Sequence, residues 1–340
     1  MFMKNDLIIK SPLYPFAVGW CITNKCNLHC KHCNMNSGKP DENELSLDEC
    51  KKIIDELVQN KIQKIMFSGG EPLSRADFFE ISNYAFSKGI VISMTTNSLL
   101  LTDDIIKNEL YKFEIVRVSL DGNNEEEHEF IRNKKGSYKK TIDNIKKMIH
   151  HGINVGIVTC ISKRNIDSFE EMALMLNKLG IRRWYLPLLS PNGRGAKIEN
   201  EALSPLETRD FLLRVSKISE QVSFSINLDT PYYVLLKHEN EVKNVSAACP
   251  AAVSEMVILS NGDISPCCQL PVIGGNCFKE GINSVWNNSK VFKEFRNRSL
   301  LKGNCSKCKF IMACGGCRAN AYVKYKDYLE GDDMCWKSID

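Results

Sequence analysis

Phe16-Ala17-Val18-Gly19-Trp20-Cys21-Ile22 runs directly, through Thr23-Asn24-Lys25, into Cys26-Asn27-Leu28-His29-Cys30-Lys31-His32-Cys33. The first run is rich in β-formers and reads as a strand. The second puts three thiols on the one tight loop that follows it. Three thiolates so spaced can hold three corners of a four-iron cluster, leaving the fourth iron open to a substrate. The competing reading is zinc. A structural zinc site takes four ligands, usually as two separated pairs; this loop offers an unpaired triple, although His29 and His32 are available to complete such a site.

Moving outward, β-rich runs alternate with amphipathic ones. Strands are expected at 16–22, 62–67, 90–95, 115–120, 155–160 and 183–188, with helices between them at 47–59, 77–87, 138–150 and 168–179. Ser46 with Glu49, and Ser137, read as helix starts; Gly89, Gly152 and Gly180 read as stops. Six alternations imply an α/β fold with a parallel sheet curled into a partial (β/α)6, TIM-like barrel. Active sites of such folds lie at the carboxyl ends of the strands, where the cysteine loop falls. A helix at 206–218 and a run at 222–228 are expected to connect this core, residues 1–230, to a small cysteine-rich α/β domain, residues 231–340.

The bulk composition is ordinary: 340 residues, 43% hydrophobic, 25% charged, net charge +4. Nothing in it suggests nucleic-acid binding. No apolar run approaches the ~20 residues of a bilayer span, so no membrane partner is expected. The first ten residues lack a signal peptide's apolar core, which makes the cytoplasm the expected location. The cysteines are the anomaly. There are 15; only Cys50 and Cys160 lie between Asn34 and Ala248, whereas nine fall from Cys249 to Cys335. A secreted disulfide framework fits poorly with this size, the odd count and the lack of an export signal. Metal or cluster ligation fits better.

The CxxxCxxC spacing after the first strand resembles the radical S-adenosylmethionine superfamily. Ser68-Gly69-Gly70-Glu71-Pro72, after the second strand, resembles its GGEP motif, whose glycines let the backbone approach a ligand closely. The resemblance implies that Gly69, Gly70 and Glu71 bind the methionyl amine. Asn97 follows strand three, and Ser119-Leu120-Asp121-Gly122 follows strand four, with Arg132 and Gly136 beyond. The peptide-modifying branch has a similar run, which gives Ser119 and Arg132 contacts to the methionyl carboxylate or ribose. His32 sits where many relatives carry an aromatic near adenine. The plainer readings are a strand-end hydroxyl, a surface charge and a loop histidine. In the implied chemistry the open iron chelates S-adenosyl-L-methionine, and one electron breaks its sulfur–carbon bond. The resulting 5′-deoxyadenosyl radical abstracts hydrogen from substrate, with the protein supplying orientation and exclusion.

The C-terminal cysteines resemble the SPASM domain, which holds two auxiliary clusters. That gives three 4Fe-4S clusters in all, one of them binding S-adenosyl-L-methionine. The Cys314-Gly315-Gly316-Cys317-Arg318 run matches a variant with two residues between these cysteines. By resemblance, Cys305, Cys308, Cys314 and Cys335 hold one cluster, and Cys249, Cys267 and Cys317 the other. Cys268 and Cys277 are the neighbouring candidates for its fourth ligand, and an open iron is the third option. Taken alone, two CxxC pairs also suit a zinc ribbon. Cys21 and Cys50 read as core or helix residues. Cys160 ends a strand, where a thiol is placed to return hydrogen to a substrate radical as in peptide epimerases; a plain core cysteine is the preferred reading.

The resemblance implies an oxidoreductase that matures a ribosomally made peptide by crosslinking, epimerisation or oxidation. A small-molecule enzyme, especially one processing tetrapyrrole side chains anaerobically, is the second reading, and a non-enzymatic zinc protein the third. Many peptide maturases carry an N-terminal recognition domain, and only about 13 residues precede the first strand here, so a peptide maturase of this form would need either a separate peptide-recognition protein or direct leader binding; an electron donor such as flavodoxin or ferredoxin is the other expected partner.

Overall fold

The computed structural model describes residues 7–237, 245–247 and 249–338. Strands β1 (Ala17–Thr23), β2 (Lys64–Gly69), β3 (Val91–Thr96), β4 (Ile115–Ser119), β5 (Val155–Val158) and β6 (Arg183–Tyr185) lie side by side in chain order, all parallel. Between them run α1 (Leu47–Gln59), α2 (Phe78–Ser87), α3 (Asp103–Asn108), α4 (Glu125–Arg132), α5 (Ser137–His150) and α6 (Phe169–Leu179). This is the expected partial barrel.

Three details differ from the sequence reading. After α7 (Pro205–Ile218), the 222–228 run is not a mere connector: it supplies β7 (Ser225–Leu228), the next parallel strand. Residues beyond 230 extend both ends of the same sheet. Strand β8 (Val245–Ala247) pairs with β7, while β9 (Glu255–Ile258) pairs parallel with β1 and is followed by antiparallel β10 (Asp263–Ser265) and β11 (Gly275–Asn276). At α5 the cap is Gly136, with φ 76°; Ser137 is already helical, and its hydroxyl turns back to donate to the Lys134 carbonyl. The Ser46–Glu49 start of α1 is a reciprocal capping box, as read.

Side chains alternate across a strand, and the two faces of this sheet differ in kind. One set, with Val18, Trp20, Phe67, Met94, Val116, Val118, Ile157 and Trp184, is fully buried against the helices. Trp20 stacks on Phe67 at 6.0 Å, and Phe169 of α6 on Trp184 at 5.0 Å. Each such side chain stabilises by ~1.5–3 kcal/mol on burial. The opposite set, with Met66, Ser68, Ser93, Thr95, Arg117, Gly156 and Tyr185, lines the concave lumen. The core thus anchors the outer layer, and the lumen and strand ends are left for chemistry. Among the described residues no helix is long and apolar enough to cross a membrane.

Candidate functional site

The loop after β1 is closed at its base. Cys26 N donates to Gly38 O at 3.0 Å and Gly38 N to Asn24 O at 2.9 Å. Leu28, Cys30 and Leu99 form a small apolar cluster with Cys26 and Cys33 packed on it, so the three thiols share one neighbourhood. All are free thiols. Burial pushes the Cys26 thiol up to about 11, opposed by the Leu28 amide that donates to its Sγ. Burial also raises Cys30, and the Arg132 guanidinium, with Nη1 3.8 Å from its Sγ, opposes this.

The glycine pair docks on this loop. A Cβ on Gly70 would lie 2.2 Å from the Lys25 carbonyl oxygen, and one on Gly69, whose φ is +124°, 2.4 Å from that of Thr23. Gly70 N donates to Thr23 O at 2.7 Å and Glu71 N to Lys25 O at 2.8 Å. The close approach these glycines serve in the structure is to the backbone that enters the cysteine loop. Glu71 is 1% exposed. Its carboxylate accepts from Thr96 Oγ1 (2.8 Å), Asn97 N (2.7 Å) and Leu73 N (3.2 Å). Burial nevertheless dominates and raises its pKa to about 7. Asn97 Nδ2 reaches Asn27 Oδ1 at 2.7 Å and lies 4.0 Å from Cys26 Sγ. Glycine segment, strand-three loop and cysteine loop are therefore one bonded unit.

Ser119 ends β4, mostly buried. Arg132 is not the surface charge of the plainer reading: it is 8% exposed, with Nε 2.6 Å from Oδ2 of the fully buried Asp121. Asp121, which sequence reasoning quoted only as part of a run, is the hub. Its Oδ1 accepts from Cys160 N at 2.9 Å, its own N–H donates to His128 Nδ1 at 3.2 Å, and Arg132 holds its carboxyl below the usual range against the effect of burial. Cys160, following β5, is buried, and burial and then Asp121 raise its pKa. His32 has a buried Nδ1 with no partner among the described residues, and burial lowers its pKa to about 4.

A segment the sequence reading passed over grips the same loop. In Asn192-Gly193-Arg194-Gly195, Arg194 donates from Nε to Cys30 O and from Nη1 to Ser37 O, both at 2.8 Å, and from its backbone to Cys33 O at 2.9 Å. A Cβ on Gly193 would sit 2.4 Å from Asn34 O. Two glycines framing an arginine after a strand were visible in the sequence, but their target was not.

In the C-terminal region the thiols fall into two neighbourhoods. Burial raises Cys314 to about 12, with Cys335 and Cys305 adding to it; burial raises Cys335 to about 11, with Cys305 and Cys308 adding. Burial likewise raises Cys249, with Cys267 adding, and Cys317, with Cys249 and Cys267 adding. Cys268 is exposed and its free thiol shares a hydrogen bond with that of Cys267. Cys277 is buried, and burial raises its thiol, with Glu56, Asp263 and Cys50 adding. Among the described residues no three His, Cys, Asp or Glu side chains close on a single metal ion.

Inside the lumen Arg117 stacks over Tyr185 at 4.2 Å, and its buried Nε has no hydrogen-bond partner among the described residues. A Cβ on Gly156 would lie 3.1 Å from the Tyr185 ring, so that glycine makes room for the stack. Asp229, just past β7, is open to water, yet loss of hydration raises its carboxyl, with Arg117 opposing. Asp229 lines a small cavity together with Thr230, Gln269 and Asn320. Burial raises Glu255 too, again with Arg117 opposing.

Residues 20–176 match the Radical SAM superfamily and residues 249–309 an iron–sulfur cluster-binding (SPASM) domain. The chain is 30% identical to the AdoMet-dependent heme synthase of Methanosarcina barkeri, over 94% of this chain and 96% of that one. It is 29% identical to the mycofactocin maturase MftC of Mycolicibacterium smegmatis, over 90% and 78%. The fold is that of Streptococcus suis SuiB bound to its precursor peptide SuiA, with TM-score 0.80 and 19% identity over 96% of this chain and 77% of that one.

Proposed function

Because the chain belongs to the radical S-adenosylmethionine superfamily and carries a SPASM domain, we propose that this enzyme abstracts hydrogen from a ribosomally made peptide held in the lumen. Its cofactors are S-adenosylmethionine and iron–sulfur clusters; three clusters are proposed. Together, S-adenosylmethionine and the reduced cluster supply a 5′-deoxyadenosyl radical when bound. The residues suit anionic thiolate-bound clusters, since two of the three cysteine neighbourhoods have a buried guanidinium against a thiol: Arg132 Nη1 3.8 Å from Cys30 Sγ, and Arg318 Nη2 3.6 Å from Cys305 Sγ.

Cys26, Cys30 and Cys33 are proposed to hold the cleaving cluster. Glu71, with Gly69 and Gly70, takes the cofactor's amine, with Asn97 and Ser119 beside it and His32 toward adenine. Arg132, pinned by Asp121, sets the charge behind Cys30. Arg194 orients the loop by holding its carbonyls.

The observation that carries the peptide reading is the mixed charge of the lumen. Arg117 has no ion pair among the described residues, and its charge opposes the rise in the carboxyl pKa of both Asp229 and Glu255. One cation and two carboxylates suit a zwitterionic chain and repel a polyanion. The tetrapyrrole reading has its own support: the heme synthase matches nearly end to end, whereas the maturase is longer than this chain.

The test is anaerobic reconstitution, then S-adenosylmethionine, dithionite and short peptides translated from any open reading frames found beside the gene. The expected result is 5′-deoxyadenosine with a changed peptide, lighter by two hydrogens for a crosslink or a desaturating oxidation, or of equal mass with an inverted residue for an epimerisation, both lost when Cys26, Cys30 and Cys33 are replaced together by Ala. An unchanged peptide, with loss of carbon dioxide from an iron-loaded tetrapyrrole propionate run in parallel, would overturn the peptide reading.

A further inference from the structure

The two glycines of Cys314-Gly315-Gly316-Cys317 each seat an arginine. A Cβ on Gly315 (φ +69°) would lie 2.2 Å from Arg298 Nη1, and one on Gly316 (φ +70°) 2.5 Å from Arg318 Nη2 and 2.9 Å from Cys305 Sγ. Any larger residue displaces a guanidinium. Arg318 is fully occupied: Nη1 donates to Tyr328 O at 3.0 Å and to Glu330 O at 2.7 Å, so it clamps the tail against Cys305.

Arg298 is different. It is 7% exposed, and among the described residues its buried Nε has no hydrogen-bond partner and no carboxylate pairs with it. Besides burial and Arg318, the groups acting most on it include Cys249, from one thiol neighbourhood, and Cys314 and Cys305, from the other. It also lines a cavity of about 350 Å³ whose wall includes both Cys249 and Cys314. A buried, unpaired guanidinium is costly unless an anion faces it. The neighbouring groups here are thiols, which become anionic as thiolate ligands of iron.

We propose that Arg298 is a shared countercharge between the two auxiliary clusters, raising the reduction potential of both. This rests on the reading of the C-terminal cysteines as cluster ligands. A single cation between two anionic centres favours the extra electron on either and lessens their mutual repulsion. Charge and burial around a cluster are recognised determinants of its potential. Gly315 serves this arrangement by leaving the guanidinium its place.

The experiment is a potentiometric titration, followed by electron paramagnetic resonance, of the reconstituted full chain as wild type, Arg298→Gln and Arg298→Lys, with iron counted in each. In Arg298→Gln both auxiliary signals should need a lower potential. The reduced-to-oxidised ratio at fixed poise should fall about tenfold or more, about 59 mV for a one-electron couple. Arg298→Lys should recover most of the shift, and the signal of the S-adenosylmethionine-binding cluster should not move. Loss of C-terminal iron in the Gln variant that Lys restores would also support a countercharge role. Unchanged auxiliary potentials with full iron in the Gln variant would overturn it, as would equal damage in Gln and Lys. Wild-type protein holding only ~4 irons would overturn instead the ligand reading beneath it, and the proposal with it.

Discussion

Glu71→Gln removes one titration from a carboxylate that the fold has already surrounded with donors. In the folded chain Glu71 has a pKa raised from 4.5 to about 7, chiefly by burial. Between those values the folded state holds a proton that the unfolded state has released. Stability therefore falls as pH rises through this window, and the contribution present below the unfolded pKa is gone above the folded one. Gln does not titrate, so the difference in stability between wild type and variant isolates the effect. From about pH 5.5 to about pH 7 that difference should shrink by roughly 2 kcal/mol, at about 1.4 kcal/mol per unit, and then level off. On top of this sits a pH-independent cost of ~1–3 kcal/mol, because the amide can keep the bond from Asn97 N only by turning its own NH2 toward Leu73 N.

The assay is urea unfolding of the reduced, metal-free chain at several pH values. A difference that stays flat, or grows with pH, would refute the reasoning. The same argument extends to the cofactor. An ammonium placed against Glu71 draws it to the charged form, so binding of S-adenosylmethionine below about pH 7 should release protons, visible by calorimetry in two buffers and absent in the Gln variant.

Two further outcomes are expected. Gly70→Ala forces a Cβ to 2.2 Å from the Lys25 carbonyl oxygen and 2.7 Å from its carbon, which are backbone atoms that yield only by moving the cysteine loop. It should cost at least ~1–3 kcal/mol in the same unfolding assay and deplete iron at the first site; a fully loaded variant of wild-type stability would show that the loop is not fixed by this contact. Cys335→Ala should lower C-terminal iron and product formation while abortive 5′-deoxyadenosine release persists, and full iron with full turnover would make Cys335 a bystander. The substitution is cleaner than truncation, because the next residue, Trp336, packs on Tyr232 at 6.1 Å.

How far the sequence could be read depended on whether a feature is local. Strand β1, the cysteine loop, the capping box of α1 and the six alternations are set by short-range pattern, and they stand as read. From the sequence, the run 222–228 reads only as a link between the core and the cysteine-rich end. Only pairing with β6 makes it a strand, and pairing is a long-range property. The same holds for β9, which lies far along the chain from β1 yet pairs parallel with it. Arg132 was open between a ligand and a surface charge because its burial depends on Asp121, and the two meet only when α4 packs back over the end of β4.

The glycines make the point most sharply. In the sequence Gly69-Gly70, Gly193, and Gly315-Gly316 all suggest a backbone close to something, and nothing local says what. In the structure Gly69 and Gly70 meet the carbonyls of residues 23–25, Gly193 meets those of residues 33–34, and Gly315 and Gly316 meet two guanidinium groups. In every case the missing Cβ leaves room for an atom that supports a cysteine: the loop backbone itself at the first site, and a cation beside the thiols at the second. An iron–sulfur site needs thiols held apart at fixed spacing and a positive environment for the charge they acquire, and neither can come from cysteines alone. Where glycine pairs flank a cysteine set, the support is therefore to be sought on the face where the side chain is missing.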